Sequence, residues 1–224
     1  RGYLMNNPNA KFIDGSWYEE EYREKWYRKT YIDEPEPQWA IDCNQYGVDF
    51  MTLVYGLGRD AKILDCGSGV GRIMQAWKRR GFFNVHGIEI SGFAVRAANE
   101  PNMIQGTVAD MSRYRDKQFD LVSSFALLEH IDESIEDQVI KEMLRVGKRQ
   151  AHFMALDKGT DPSHINMKTA MEWGKVFARH VTGEINIIVL RGPLMEEPLL
   201  LVFHGDEGTH PLNNTVVQMR DGSA

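Results

Sequence analysis

Three acids, a glycine run and two histidines are the residues of this chain whose types and spacing can do chemistry together. The stretch ILDCGSGVGR, residues 63 to 72, ends an apolar run on Asp65 and follows it with Gly67, Gly69 and Gly71. Glycines let a ligand approach the backbone closely, and an acid at the end of a strand attracts an ammonium where it would repel a pyrophosphate. The phosphate-binding patterns fit poorly. A dinucleotide loop needs GxGxxG, whose third glycine falls on Arg72, and a triphosphate loop needs GxxxxGK[ST], whose second glycine falls on the same residue. Downstream, Glu89 closes a second apolar run, where a carboxylate can accept from both hydroxyls of an unphosphorylated ribose.

These residues form D-x-G-x-G-x-G, followed by Glu89, by GTVADM at 106–111, and by FDLV and LEHI at 119–122 and 128–131. In that order they make the segment from about 61 to 205 resemble the class I S-adenosylmethionine-dependent methyltransferases, in the branch that acts on small molecules. The resemblance implies S-adenosyl-L-methionine as cofactor, with Asp65 near the methionine amino group and Gly67, Ser68, Gly69 and Gly71 as its loop. It implies Glu89 with Ile90 at the ribose and Asp110 accepting from the adenine amine. Met111 would lie against the ring and Phe125 in the cofactor pocket, and His130 would stand near the reacting methyl.

Methyl transfer from a sulfonium is an in-line displacement that needs an aligned nucleophile, exclusion of water and sometimes removal of a proton. His130 in LLEHID and His164 in TDPSHINMK are the candidate catalytic residues, because an imidazole with pKa near ~6.5 can take a proton from a hydroxyl or amine. Both also have a purely architectural reading. His130 can hydrogen-bond the loop beside the cofactor, and His164 can brace the helix expected near Lys168. Asp157, Asp161 and His164 offer ligand types for a metal, but their spacing is equally that of a polar loop, so no metal site is assigned.

The elements that must position these residues follow from hydrophobic period. From Lys62 the chain alternates apolar runs with helical ones: KILDC, VHGIEI, MIQGTVAD, FDLVSSF and QAHFMAL as strands, then EINIIVL and LLLVFHG with no helix between them. That order predicts an α/β, Rossmann-like methyltransferase fold: a seven-stranded, mostly parallel sheet with helices on both faces and a terminal antiparallel hairpin. Ahead of it, residues 16 to 31 read as one amphipathic helix with Tyr18, Tyr22 and Trp26 on a face. With Trp17 they either form a lid over the acceptor or pack on the sheet edge. The prolines of DEPEPQW mark a linker, and a second helix is expected from about Ile41 to Tyr55. Residues 1–60 are thus a helical cap with linker, 61–215 the cofactor-binding domain and 216–224 a polar tail.

Composition limits the partners. A net charge of −6 offers no general attraction to nucleic acid, and the KRRG at 78–81 suits the end of a helix, where cations meet its dipole. Two cysteines without ligand spacing suggest neither disulfide framework nor zinc, and a reducing cytoplasm is the expected compartment. No apolar run reaches the ~20 residues of a membrane span. Chain start RGYLMNN has no secretory h-region, although an initial Arg leaves a removed leader open. Motifs for amino-methylation of bases, for pyrimidine C5 attack and for arginine methylation are missing from the sequence. The expected function is methyl transfer to a small-molecule or glycan-like acceptor, at oxygen. A non-catalytic cofactor-binding partner subunit and a methyltransferase acting on protein are the alternatives, and no oligomeric state is assigned.

Overall fold

In the computed structural model, which describes residues 15–25, 27–156, 161, 163–181, 185–190 and 199–205, the apolar run after Lys62 becomes strand β1, Ile63–Cys66. All four of its residues are buried, as a strand covered on both faces requires. Ile63 belongs to one core cluster and Leu64 to another, so the strand's alternation sends successive side chains to opposite faces of the sheet.

Four more strands run parallel to β1: β2 (Val85–Glu89), β3 (Met103–Gln105), β4 (Leu121–Phe125) and β5 (Arg149–Ala155). β6 (Asn186–Leu190) and β7 (Leu199–Gly205) pair antiparallel, and β7 also runs antiparallel to β5. The described strands form one seven-stranded sheet in the order β3-β2-β1-β4-β5-β7-β6. The expected terminal hairpin is present, with its second strand placed inside its first. The chain reverses direction across the sheet between β1 and β4, the place where open α/β sheets leave a crevice at their carboxyl ends.

One face is covered by α2 (Gln38–Tyr55) and α3 (Arg72–Arg79), whose Val48, Met51, Tyr55, Met74 and Trp77 pack with Phe82 and Phe153. On α2 these residues recur at three- and four-residue spacing, giving one apolar stripe. The other face is covered by α5 (Glu133–Val146) and α6 (Ala170–Ala178), through Val139, Ile140, Met143, Trp173 and Phe177. A short α4 (Gly92–Ala98) follows β2.

Two expectations need correction. The leading helix α1 spans only Gly15–Glu24; a bend at Lys25 and a π-helical turn at Arg28–Asp33 follow, so the aromatic period is carried on by Tyr27 and Tyr31. Trp26 lies outside the described residues. Strand β3 stops at Gln105; the Gly106 amide makes the last bond to β2, at the Glu89 carbonyl (2.9 Å), and Asp110 stands five residues beyond the strand. Asp157 and the tail at 216–224 also lie outside the described residues.

Candidate active site

A cleft of about 490 Å³ opens at the carboxyl ends of β1, β2 and β4. Its floor is the glycine loop, in which Gly69 has φ +54° and sits under the Tyr22 hydroxyl, where an added Cβ would come within 3.0 Å of that oxygen. Glycine supplies both the left-handed backbone and the close approach.

Asp65 enters this floor from β1, 1 % exposed, and neither carboxylate oxygen has a hydrogen-bond partner. Burial, opposed only in part by the nearby Ser68 hydroxyl, which donates to the Asp65 backbone carbonyl (2.8 Å), and reinforced by the charge of Glu89, pushes its pKa up to about 8. An unpartnered buried carboxylate is costly, and a ligand ammonium placed beside it removes that cost. Glu89 ends β2 in the same floor, and its two oxygens accept the Gly69 amide (2.9 Å) and the Ser91 amide (3.0 Å). Burial still raises its pKa. A carboxylate oxygen has two acceptor sites, so Glu89 can still accept from ribose hydroxyls placed in the cleft.

The roof comes from the N-terminal segment. Glu19 of α1 accepts from the Phe93 amide (2.9 Å) and the Ser91 hydroxyl (2.8 Å) and pairs with Arg96 (3.2 Å), which caps the open N-terminus of α4. Those donors outweigh its desolvation and hold its pKa below the usual carboxylate range. Arg72, the residue that breaks the dinucleotide pattern, reaches up from the glycine loop. Its guanidinium lies 4.8 Å from the Tyr31 ring centre and donates to the Thr30 carbonyl (3.2 Å). Tyr18, Tyr22, Tyr27 and Tyr31 consequently face the cleft. Trp39, Cys43 and Asn44 of α2 complete its outer wall.

The far end is polar. After β4 a 3₁₀ turn, Leu128–His130, presents Glu129 and His130, and the loop after β5 presents Asp161, Ser163 and His164. Two backbone bonds join these segments, from the Ile165 amide (3.0 Å) and the Asn166 amide (2.9 Å) to the Glu129 carbonyl. Glu129 is fully buried; its Oε1 accepts the Ala155 amide (2.9 Å), whereas its Oε2 has no partner, and burial raises its pKa to about 7. The rings of His130 and His164 lie 4.7 Å apart between centres at 67°. His130 Nδ1 is 3.1 Å from the Ser163 carbonyl, which can only accept, so Nδ1 carries the proton and Nε2 the lone pair. Burial first, and the neighbouring His164 second, lower the His130 pKa to about 4. Asp161 accepts from the Ser163 hydroxyl (2.5 Å) and amide (2.8 Å) and from the Tyr27 hydroxyl (3.0 Å). Although buried in part, it is held by these donors below the usual carboxylate range.

Of the residues singled out from the sequence, Asp65, Gly67, Ser68, Gly69, Glu89, Ile90, Phe125, His130 and His164 line the cleft together. Gly71, with φ +81°, is the N-cap of α3 just behind it. Asp110 and Met111 are elsewhere. Asp110 is exposed and accepts the Ser112 amide (3.0 Å), while Met111 is fully buried in the core with Val139 and Met143. Thr107 and Val108 occupy the place at the cleft that was expected for them. Their signal was GTV itself, since a glycine directly after a short apolar run marks the strand end. Glu129, Tyr27 and Tyr31 were also missed as parts of the site, because only the folded loops bring them to it.

Comparison with known proteins accords with this geometry. Residues 64–155 match the methyltransferase domain family. Among solved structures, the magnesium protoporphyrin IX methyltransferase ChlM from Synechocystis PCC 6803, solved with bound SAM, is 15% identical with TM-score 0.63, over 88% of this chain and 100% of that one. The PH0226 protein from Pyrococcus horikoshii OT3 is 18% identical with TM-score 0.61, over 83% and 98%. A SAM-dependent methyltransferase from Aquifex aeolicus is 15% identical with TM-score 0.60, over 79% and 95%. At such identities the likeness establishes the fold. No curated protein sequence matches the chain significantly. Among the described residues no helix is long and apolar enough to cross a membrane.

Proposed function

We propose that this chain, a class I S-adenosylmethionine-dependent methyltransferase by its matched domain and its fold, methylates an oxygen of a small-molecule or glycan-like acceptor held at the histidine end of the cleft. The observation that carries the reading is the buried Asp65 carboxylate, unpartnered beside a glycine loop and facing the cleft. It calls for a ligand with an ammonium group, which neither a dinucleotide nor a triphosphate has.

The residues present fit the cofactor. Asp65 would hold its amino group, Glu89 its ribose hydroxyls, and Thr107 with Val108 the base, all from the carboxyl edge of the sheet. When bound, S-adenosylmethionine supplies a methyl group already activated by its sulfonium. The chain's own contribution is alignment and exclusion of water. The tyrosine roof and the Phe125 ring, stacked on Phe153 at 4.3 Å, supply apolar walls. His130 is held neutral and orients through Ser163, so it offers a lone pair and not a positive charge at the acceptor end. A cleft closed over by a helical cap favours a compact acceptor over a polymer surface.

The test is formation of S-adenosylhomocysteine from S-adenosylmethionine across a panel of phenolic, aliphatic-hydroxyl and sugar acceptors. Turnover with a hydroxyl acceptor that falls at least ~100-fold in His164→Ala is the expected result, matching the lower bound for a proton-handling group. Turnover confined to amine or protein acceptors, or cofactor binding with no turnover on any, would overturn the assignment.

A further inference from the structure

Glu129, His130 and His164 each offer one ligand atom, and these atoms lie within 4.8 Å of one another. Two ligands of a common ion at about 2.1 Å each are at most about 4.2 Å apart, so closing the set takes a contraction of the order of an ångström, within reach of side-chain rotation. We propose that these three residues bind a divalent transition-metal ion at the acceptor end of the cleft, with coordination positions left open for acceptor oxygens.

Four features support this site. Glu129 Oε2 is buried without a hydrogen-bond partner, and a cation beside it would offset the cost of burying that charge. The Ser163 carbonyl takes the Nδ1 proton of His130, which is how a ligating imidazole is ordinarily oriented from outside the metal. The Ser163 hydroxyl, 2.8 Å from the same nitrogen, passes the link on to Asp161, so a carboxylate stands behind the imidazole through one hydroxyl. Backbone bonds from Ile165 and Asn166 to Glu129 hold the two ligand-bearing segments in fixed relation before any ion arrives.

Asp161, which the sequence grouped with His164, is a supporting residue here and not a ligand: it is not among the ligand atoms that lie within 4.8 Å of one another, and its oxygens accept from Ser163 and Tyr27. Two neutral imidazoles and one carboxylate suit zinc, cobalt, manganese or iron(II) better than magnesium or calcium, which prefer oxygen ligands. Three protein ligands leave at least one position for substrate, the pattern of catalytic and not structural metal sites. Since His130 and His164 line the cleft while Glu129 lies behind them, the open side faces the acceptor. That last step rests on the proposed function; binding of the ion does not.

The experiment titrates metal-stripped full-length chain with Co²⁺, read by its visible absorption, and with Zn²⁺ and Mg²⁺ by calorimetry, with S-adenosylhomocysteine binding measured on the same samples. The expected result is one saturable Co²⁺ or Zn²⁺ site, tighter than any for Mg²⁺. Both His164→Ala and Glu129→Gln should weaken it by more than the roughly 10–100-fold that loss of an outer partner costs. His164→Ala, at a half-buried loop position, keeps the test valid if the Glu129 variant fails to fold. Wild-type chain that binds S-adenosylhomocysteine but no transition metal overturns the proposal, as does metal uptake indifferent to His164→Ala. Metal uptake without S-adenosylhomocysteine binding would instead sustain the site and refute the methyltransferase reading of the cleft.

Discussion

Replacing Asp65 by asparagine preserves the size of the side chain and removes only its charge, which separates the two consequences of leaving that carboxylate unpartnered. In the ligand-free chain the carboxylate is 1 % exposed with no donor to either oxygen. Asp65→Asn therefore relieves a desolvation cost while burying an amide in its place. The net change in stability should stay within about 1 kcal/mol, or roughly 2–4 °C in Tm for a chain of this size. Cofactor binding should suffer much more. The lost charge-assisted bond to the amino group is worth about 1.5–3 kcal/mol, which at about 1.4 kcal/mol per decade is roughly 10- to 150-fold in Kd for S-adenosylhomocysteine. The pH dependence follows from the carboxyl's elevated pKa of about 8. Below it the free wild-type chain must release the Asp65 proton to bind an ammonium, so its affinity declines as pH falls from about 8, and the gap to Asp65→Asn narrows. Calorimetry at several pH values, with melting curves alongside, reads both effects. A folded variant whose affinity stays within threefold of wild type at pH 8 would refute the reasoning.

Gly69→Ala places a side chain at φ +54° and 3.0 Å from the Tyr22 hydroxyl. It should cost about 1–2 kcal/mol of stability from the backbone alone, seen in denaturant melts, and should also impair cofactor binding. Glu19→Ala removes the cap on α4 and the tie between roof and floor. A cap of this kind contributes about 1 kcal/mol, so S-adenosylhomocysteine should dissociate about fivefold faster in stopped-flow displacement, and an unchanged rate would deny α1 a gating role. The raised pKa of Asp65 also fixes a sign for folding. Between about pH 4 and 8 the native chain keeps a proton that the unfolded chain has lost, so this group's contribution makes ligand-free stability fall as pH rises through that window. Melting curves should show that slope in wild type and a shallower one in Asp65→Asn.

The central half of the fold was legible because its signals are local. A continuous apolar run before an acid and spaced glycines can only be a buried strand entering a tight turn, and alternation of such runs with helices dictates a parallel sheet. Asp65 and Glu89 reached the cleft because they are the penultimate residue of β1 and the last residue of β2. Asp110 did not, since β-type residues continue past Gly106 although the strand ends at Gln105, and period alone does not locate that stop. The roof was harder to read. Tyr18, Tyr22 and position 26 keep helical spacing across residues 16 to 31, yet the chain bends at Lys25 and resumes as a π-helical turn, which hands the cleft to Tyr27 and Tyr31. Glu129 has no partner that local sequence can show. His130 adjoins it in the chain, and His164 meets both only because a loop more than thirty residues on folds back to the Glu129 carbonyl.

The claim that the Asp65–Glu89 floor is an S-adenosylmethionine site is tested most directly by paired calorimetric titrations of the full chain with S-adenosylhomocysteine and with NAD. One saturable S-adenosylhomocysteine site per chain is expected, with no measurable heat of NAD binding. NAD binding as tightly as S-adenosylhomocysteine, or no S-adenosylhomocysteine binding by a folded chain, would contradict it.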